Sequence, residues 1–188
     1  MEASDIEKAW ILDWFSTLTE VINLRSFSNL WYWIMLAVLW STASHWVLGV
    51  PYDMVTRAAA QGGEAEADLA DIVRINVNRL IYIADVSGLW IVGFGTFFLS
   101  FFGLSGFVYG FQLAQAIFLL AFPMSLVGLL GFRTAKRLHG TALQGAALRR
   151  ALTRQRLVTQ LIGMFSIFIT ALWGMYQNLA YMMPNHLL

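Results

Sequence analysis

Four long apolar segments alternate with polar stretches along the chain, and their lengths predict helices that cross a membrane. They cover residues 27–50, 80–102, 107–132 and 157–183. A helix needs about 20 apolar residues to cross roughly 30 Å of hydrocarbon, and a backbone in lipid must satisfy its polar groups internally. The pattern therefore predicts an all-α membrane protein, a four-transmembrane-helix bundle that forms a single domain over residues 1–188.

The polar stretches also carry helical patterns. Residues 9–24 repeat apolar side chains at three- and four-residue spacing, which predicts a helix that either lies in the membrane interface or packs against the bundle. Residues 51–79 contain the turn signal Gly62–Gly63 and then no helix breaker, so the second span is expected to extend out of the membrane as one long helix. Within residues 133–156, Thr141 can cap a helix that leads into the fourth span. Both stretches are thus predicted helical extensions of the bundle.

Basic residues are distributed unevenly between these stretches. Ten of the twelve lysines and arginines fall in residues 51–79 and 133–156, and only Lys8 and Arg25 fall on the other side. Positively charged loops are retained in the cytoplasm. We therefore expect a multi-pass protein of the bacterial inner membrane with both basic loops inside and both termini outside. The second and third spans are joined by "GLSG", residues 103–106, so an antiparallel hairpin with its turn there is expected.

Composition narrows the function classes. Hydrophobic residues make up 59% of the chain and charged residues 12%, against about a quarter charged in an average soluble domain. The chain has no cysteine, which excludes disulfides, thiolate metal sites and cysteine nucleophiles. A net charge of +1 gives no reason to expect a nucleic-acid partner. The acidic start of the chain does not resemble a cleavable signal. We expect no metal, no cofactor, and an accessory role rather than an enzyme.

Ionisable residues inside the spans form the first candidate site. His45 lies on a stripe of small side chains, and such stripes mark close helix contacts in membranes. Asp85 lies at the same expected depth on the second span, so we predict a His45–Asp85 pair, with Tyr82 and Asn78 on the face of Asp85. Two interpretations stand. The pair either holds two helices in register or serves as a proton relay or ligand site.

Amide side chains form a second candidate site near the outer ends of the last two spans. Gln112 and Gln115 in the third span approach the expected depth of Gln177 and Asn178 in the fourth. These side chains either line a polar pocket or form hydrogen bonds between helices.

A basic patch between the third and fourth spans is the third candidate. One explanation is topogenic, because positive residues hold the loop inside and contact anionic lipids. The other is a docking surface for an acidic cytoplasmic protein. The residues concerned are Arg133, Lys136, Arg137, Arg149, Arg150, Arg154 and Arg156.

Three segments resemble a known family. They are "LRSFSNLWYWIMLAVLWSTASHWVLGVPYDMV", "RINVNRLIYI" and "LWGMYQNL". The likeness is to small bacterial membrane proteins that are encoded among iron–sulfur assembly genes and labelled "component of SufBCD complex". The resemblance implies an accessory protein that docks this soluble complex at the membrane through the cytoplasmic loops. Two alternatives remain: a small quinone- or haem-binding membrane subunit centred on His45, and a small permease with a polar path between the amides and the His45–Asp85 pair.

Overall fold

The computed structural model describes Phe27, residues 29–141 and residues 144–182. This part of the chain contains five helices and one small antiparallel hairpin. Three helices are long and apolar enough to cross a membrane. The elements are α1 (Leu30–His45), β1 (Trp46–Val47), β2 (Val50–Pro51), α2 (Tyr52–Gln61), α3 (Gly63–Phe107), α4 (Gln112–Gly140) and α5 (Gly145–Met182). The all-α prediction is confirmed, and the predicted interfacial helix at 9–24 lies outside the described residues.

The first predicted span is shorter than expected. Helix α1 has 16 residues and rises about 24 Å, less than a full span requires. It begins after Asn29, whose side chain accepts a hydrogen bond from the Trp31 amide at 3.0 Å. After α1, Leu48 and Gly49 adopt positive φ angles of 52° and 75° and close the two-residue turn of the hairpin. The predicted span 27–50 is therefore corrected, because a hairpin occupies the place of its last helical turn.

The long helix α3 confirms the predicted extension of the second span. It runs for 45 residues, which corresponds to about 67 Å, far more than the roughly 30 Å of a bilayer core. Its first half carries the charged residues, and its second half contains only one, Asp85. One helix thus has a charged half and an apolar half. The chain turns before it at Gly62 and Gly63, both with positive φ, as the turn signal predicted.

The turn between α3 and α4 lies later than the sequence predicted. Helix α3 continues through residues 103–106, and the chain reverses over 108–111, where Gly110 has a φ of 76°. Gly103 and Gly106 instead allow α4 to approach. A Cβ atom on Gly106 would lie 2.7 Å from the backbone nitrogen of Gln115. These glycines are contact positions within an antiparallel helix pair.

Helix α1 packs against α5. A Cβ atom on Gly163 of α5 would lie 2.7 Å from the ring of Trp40, and one on Gly174 would lie 3.4 Å from Phe27 and Trp33. The aromatic side chains of α1 therefore fit against small residues of α5, as expected for close packing in a membrane. Four small residues that follow one another at three- and four-residue steps on α5 are buried: Gly163, Ser166, Thr170 and Gly174.

The largest buried cluster lies in the charged end of the molecule. We call this end the crown, and it consists of residues 46–80, 132–141 and 144–159. Apolar side chains from the hairpin, α2, α3, α4 and α5 all contribute to it. The cluster contains Val47, Val50, Val55, Ala58, Leu69, Val73, Val77, Ala135, Leu148 and Leu152.

The end of α4 closes differently from the prediction. Thr141 was expected to cap the start of the next helix. In the structure its hydroxyl donates a hydrogen bond to the carbonyl of Arg137 at 2.7 Å, which satisfies the last turn of α4. Helix α5 then begins at Gly145.

Candidate functional site

Two of the four predicted amides, Gln115 and Gln177, meet at the end of the bundle far from the crown. Gln115 lies on α4 and is buried; its Oε1 accepts hydrogen bonds from Gln177 Nε2 at 2.6 Å and from Trp173 Nε1 at 3.0 Å, both on α5. Its Nε2 donates to the carbonyl of Gly106 on α3 at 2.8 Å. We call Gln115, Gln177, Trp173 and Gly106 the amide cluster. It joins three helices through one side chain.

This geometry favours hydrogen bonding between helices over a polar pocket. The Gln115 oxygen already accepts two hydrogen bonds and its amide nitrogen donates one, so its hydrogen-bonding capacity is largely used within the protein. The close approach of Gly106 completes the arrangement, because any side chain there would meet the backbone of Gln115.

The other two predicted amides occupy different places. Gln112 is buried in the first turn of α4, and Asn178 follows Gln177 on α5 and is partly buried. Trp173 was missed by sequence reasoning. Its position four residues before Gln177 places both side chains on one helix face and is the signal that could have identified it.

The structure does not form the predicted His45–Asp85 pair. His45 is exposed at the end of α1 and its ring lies 6.1 Å from that of Trp46, while Asp85 is exposed on α3. Among the described residues, no hydrogen bond or ion pair joins the two side chains. The physical reason is that α1 packs against α5. The helix that carries His45 and the helix that carries Asp85, α1 and α3, are therefore not packed against each other along this face. The stripe expected to face the bundle is likewise exposed at Ala37 and Ser41.

The two companions of Asp85 are also separated. Tyr82 is 68% exposed on the apolar half of α3. Asn78 lies one turn before Tyr82, within the crown, and its Oδ1 is 3.2 Å from Nδ1 of His139 at the end of α4. This Asn78–His139 contact joins α3 to α4 at the crown, and sequence reasoning did not predict it.

Two arginines of the basic patch are engaged inside the crown. Arg149 on α5 forms an ion pair with Glu66 on α3, and both side chains are partly buried. Arg156 places its guanidinium 3.8 Å from the centre of the Tyr52 ring, which is a cation–π distance. Both contacts join α5 to preceding elements of the crown.

The remaining basic residues face outwards. Arg150 and Arg154 lie on α5 and are exposed, with Thr153 between them. Within the part of the chain that the structure describes, no acidic side chain forms an ion pair with either arginine. The other exposed members lie at the end of α4 and are Arg133, Lys136 and Arg137. The patch thus divides into two internal and five external cations.

No group of three histidine, aspartate or glutamate side chains in the described ranges is arranged to hold a metal ion. Comparison of the chain with known protein families, with curated proteins and with solved structures finds no match.

Proposed function

We propose that this chain is a non-enzymatic docking protein of the bacterial inner membrane. In this proposal α3, α4 and α5 cross the bilayer, and the short α1 completes a four-helix bundle beside α5. The crown lies in the cytoplasm and both termini lie outside, in keeping with the concentration of basic residues in the crown. The crown then presents the exposed arginines of α5, Arg150 and Arg154, to an acidic soluble partner.

The observation that carries the proposal is the different use of neighbouring arginines on α5. Arg149 and Arg156 are bound to residues of the crown, whereas Arg150 and Arg154 are exposed. The two exposed arginines line a shallow groove of about 520 Å³. Its other lining residues are Ala146, Thr153, Leu157 and Arg149, whose guanidinium is paired with Glu66. A groove with two exposed guanidinium groups that no described acidic residue pairs suits carboxylates of a partner, because guanidinium binds carboxylate in a bidentate manner.

The proposed partner is the SufBCD complex, and this choice rests on the family resemblance. The supporting physical argument is that docking needs no chemistry from the membrane chain, which has no cysteine with which to carry sulfur. Its contribution would be position, a charged surface fixed at the membrane by three or four helices.

The test measures binding of purified SufBCD complex to this protein in nanodiscs at low and high salt. The double variant Arg150→Gln, Arg154→Gln should weaken binding by roughly tenfold, about 1.4 kcal/mol, and should reduce its salt dependence. A matched variant, Arg133→Gln, Lys136→Gln, removes two charges from the end of α4 and should bind nearly as well as the natural chain.

Two results would contradict the proposal. If neither charge pair affects binding, the basic residues do not form the docking surface and the topogenic explanation is sufficient. If both pairs weaken binding equally, binding depends on the overall charge of the crown and the α5 groove is not the specific docking surface. If the natural chain does not bind the complex at low salt, the proposed partner is wrong. Melting temperatures of the two variants verify that the crown remains folded.

A further inference from the structure

A cleft of about 410 Å³ lies where the crown meets the apolar half of the molecule. The hairpin, α3, α4 and α5 surround it. Its volume falls in the range of about 300–1,000 Å³ that is usual for small-molecule sites. None of the candidate residues from the sequence lies in it.

The hairpin forms one wall of the cleft and is fixed in place. Asn76 on α3 donates a hydrogen bond from Nδ2 to the carbonyl of Gly49 at 3.0 Å. Leu48 reaches α4, where a Cβ atom on Gly131 would lie 3.6 Å from its Cδ2. Both contacts hold the turn against the helices, so the cleft is a built feature of the fold.

The lining divides into an apolar and a polar part. Leu80, Ile83, Val127 and Phe132 supply apolar walls, and the exposed Gly128 leaves open space beside them, because a Cβ atom there would meet nothing within 4 Å. The polar part consists of Asn76, Arg79, Gln155 and Thr159.

Gln155 offers a hydrogen-bond donor to this cleft. It is buried, and its Oε1 accepts a hydrogen bond from Thr134 at 2.8 Å. No described residue accepts a hydrogen bond from its Nε2, so this donor is left for a ligand in the cleft that Gln155 lines. Arg79 adds a positive charge at the point where α3 changes from charged to apolar. A guanidinium and an amide donor beside apolar walls match an amphiphile with an anionic head.

We propose that this cleft binds one anionic phospholipid, with its phosphate at Arg79 and Gln155 and the start of an acyl chain along Gly128. Basic pockets between membrane helices at the cytoplasmic surface recognise anionic headgroups by this chemistry. A neutral quinone would use the apolar walls and leave the guanidinium without a counter-ion. This site is independent of the docking surface on α5.

The test is native mass spectrometry of the delipidated protein with phosphatidylglycerol or phosphatidylcholine that carry identical acyl chains. We expect one phosphatidylglycerol to be retained, with about tenfold preference over phosphatidylcholine. Arg79→Gln should abolish the preference, whereas the control Arg57→Gln, on an exposed face of α2, should keep it. Gly128→Leu should fill the space beside Gly128 and reduce retention of phosphatidylglycerol. Gly95→Leu, on the exposed apolar half of α3, should leave retention unchanged.

Several outcomes would overturn the proposal. Equal retention of the two lipids by the natural chain would show that the cleft does not recognise the anionic headgroup. Equal loss of retention in both glycine variants would show that the space beside Gly128 does not hold the acyl chain. Displacement of the phosphatidylglycerol by a short-chain quinone, or by inorganic phosphate alone, would assign the cleft to another ligand. If Gly128→Leu does not fold, Arg79→Gln still tests the proposal, because Arg79 is an exposed side chain and its replacement should not prevent folding.

Discussion

The long helix α3 runs from the crown into the apolar half of the molecule, and these two regions are stabilised in different ways. In the crown, Leu69 and Leu152 are at most 1% exposed and belong to a cluster drawn from every surrounding element. Along the most apolar stretch of α3, no residue is buried within the protein, and Leu89 is 86% exposed. The more hydrophobic region is therefore the one with the less buried protein core.

This difference follows from the solvent of each region. Water drives apolar side chains together, so a charged and exposed region must build a core in order to fold. Lipid gives no such drive, and helices there associate through close packing and hydrogen bonds. The contacts of the apolar half fit this description, since they include glycines against aromatic rings and the amide cluster, besides a small buried cluster around Phe27, Tyr32 and Ala116.

The largest expected effect is the loss of a crown leucine. Leu152→Ala should lower the free energy of unfolding by about 2–5 kcal/mol, because it leaves a cavity in a packed core. Leu161→Ala is the matched control on the same helix, 52% exposed, and should cost less than about 1 kcal/mol. Reversible unfolding in mixed micelles measures both. Equal losses would remove the distinction between the two regions.

The next effect concerns helix contact in the membrane half. Gly106→Ala should destabilise the protein by about 1–3 kcal/mol, because the new methyl group would meet the backbone of Gln115. Gly95→Ala, where a Cβ atom meets nothing within 4 Å, should be neutral or stabilising by up to about 1 kcal/mol. The same unfolding assay applies, and a neutral Gly106→Ala would show that α3 and α4 are not in close contact there.

The amide cluster should give a smaller coupling energy. A double-mutant cycle of Gln115→Ala and Gln177→Ala should show a coupling of about 0.6 kcal/mol, with an upper limit near 1.7, as for other hydrogen bonds between membrane helices. Thr96→Ala provides a control partner, since its hydroxyl bonds only to its own helix at Val92 and Gly93. Additive losses for the Gln115 and Gln177 pair would count against the cluster.

The smallest effect is expected for the ion pair of the crown. A cycle of Glu66→Gln and Arg149→Gln should give a coupling of about 0.2–0.5 kcal/mol that falls as salt is added, because the pair is partly exposed. The exposed Asp71–Arg74 pair within α3 should give less. A coupling for Asp71–Arg74 larger than that for Glu66–Arg149 would show that the latter contributes little to the crown.

Sequence patterns predicted the positions of the helices better than they predicted which helices pack against each other. The charged extension of α3 could be predicted because water and a membrane require different residues. The turn at Gly62–Gly63 could be predicted because glycine permits positive φ. The contact between α1 and α5 could not, because a span that is apolar on every side does not reveal which face meets protein. The His45–Asp85 pair failed for this reason.

The sequence also does not show whether a glycine forms a turn or a close contact between helices. Residues 103–106 read as a turn because two glycines lie close together, yet in the structure they bring α4 against α3. Among the candidate sites, four amides were expected at similar depth, either around a polar pocket or in hydrogen bonds between helices. In the structure Gln115 and Gln177 form such a hydrogen bond, and depth alone could not show which of the four would meet. The division of the basic patch depended on Tyr52 and Glu66, whose positions come only from the folded crown.

The central claim is that the crown and the α3–α4 turn lie on opposite sides of the membrane, and single-cysteine labelling tests it most directly. The chain has no cysteine, so Ala59→Cys in the crown and Tyr109→Cys in the turn would each be the only thiol. Both positions are exposed. In right-side-out vesicles an impermeant maleimide should label Tyr109→Cys at once and Ala59→Cys only after permeabilisation. Labelling of both thiols from the same side would contradict the account.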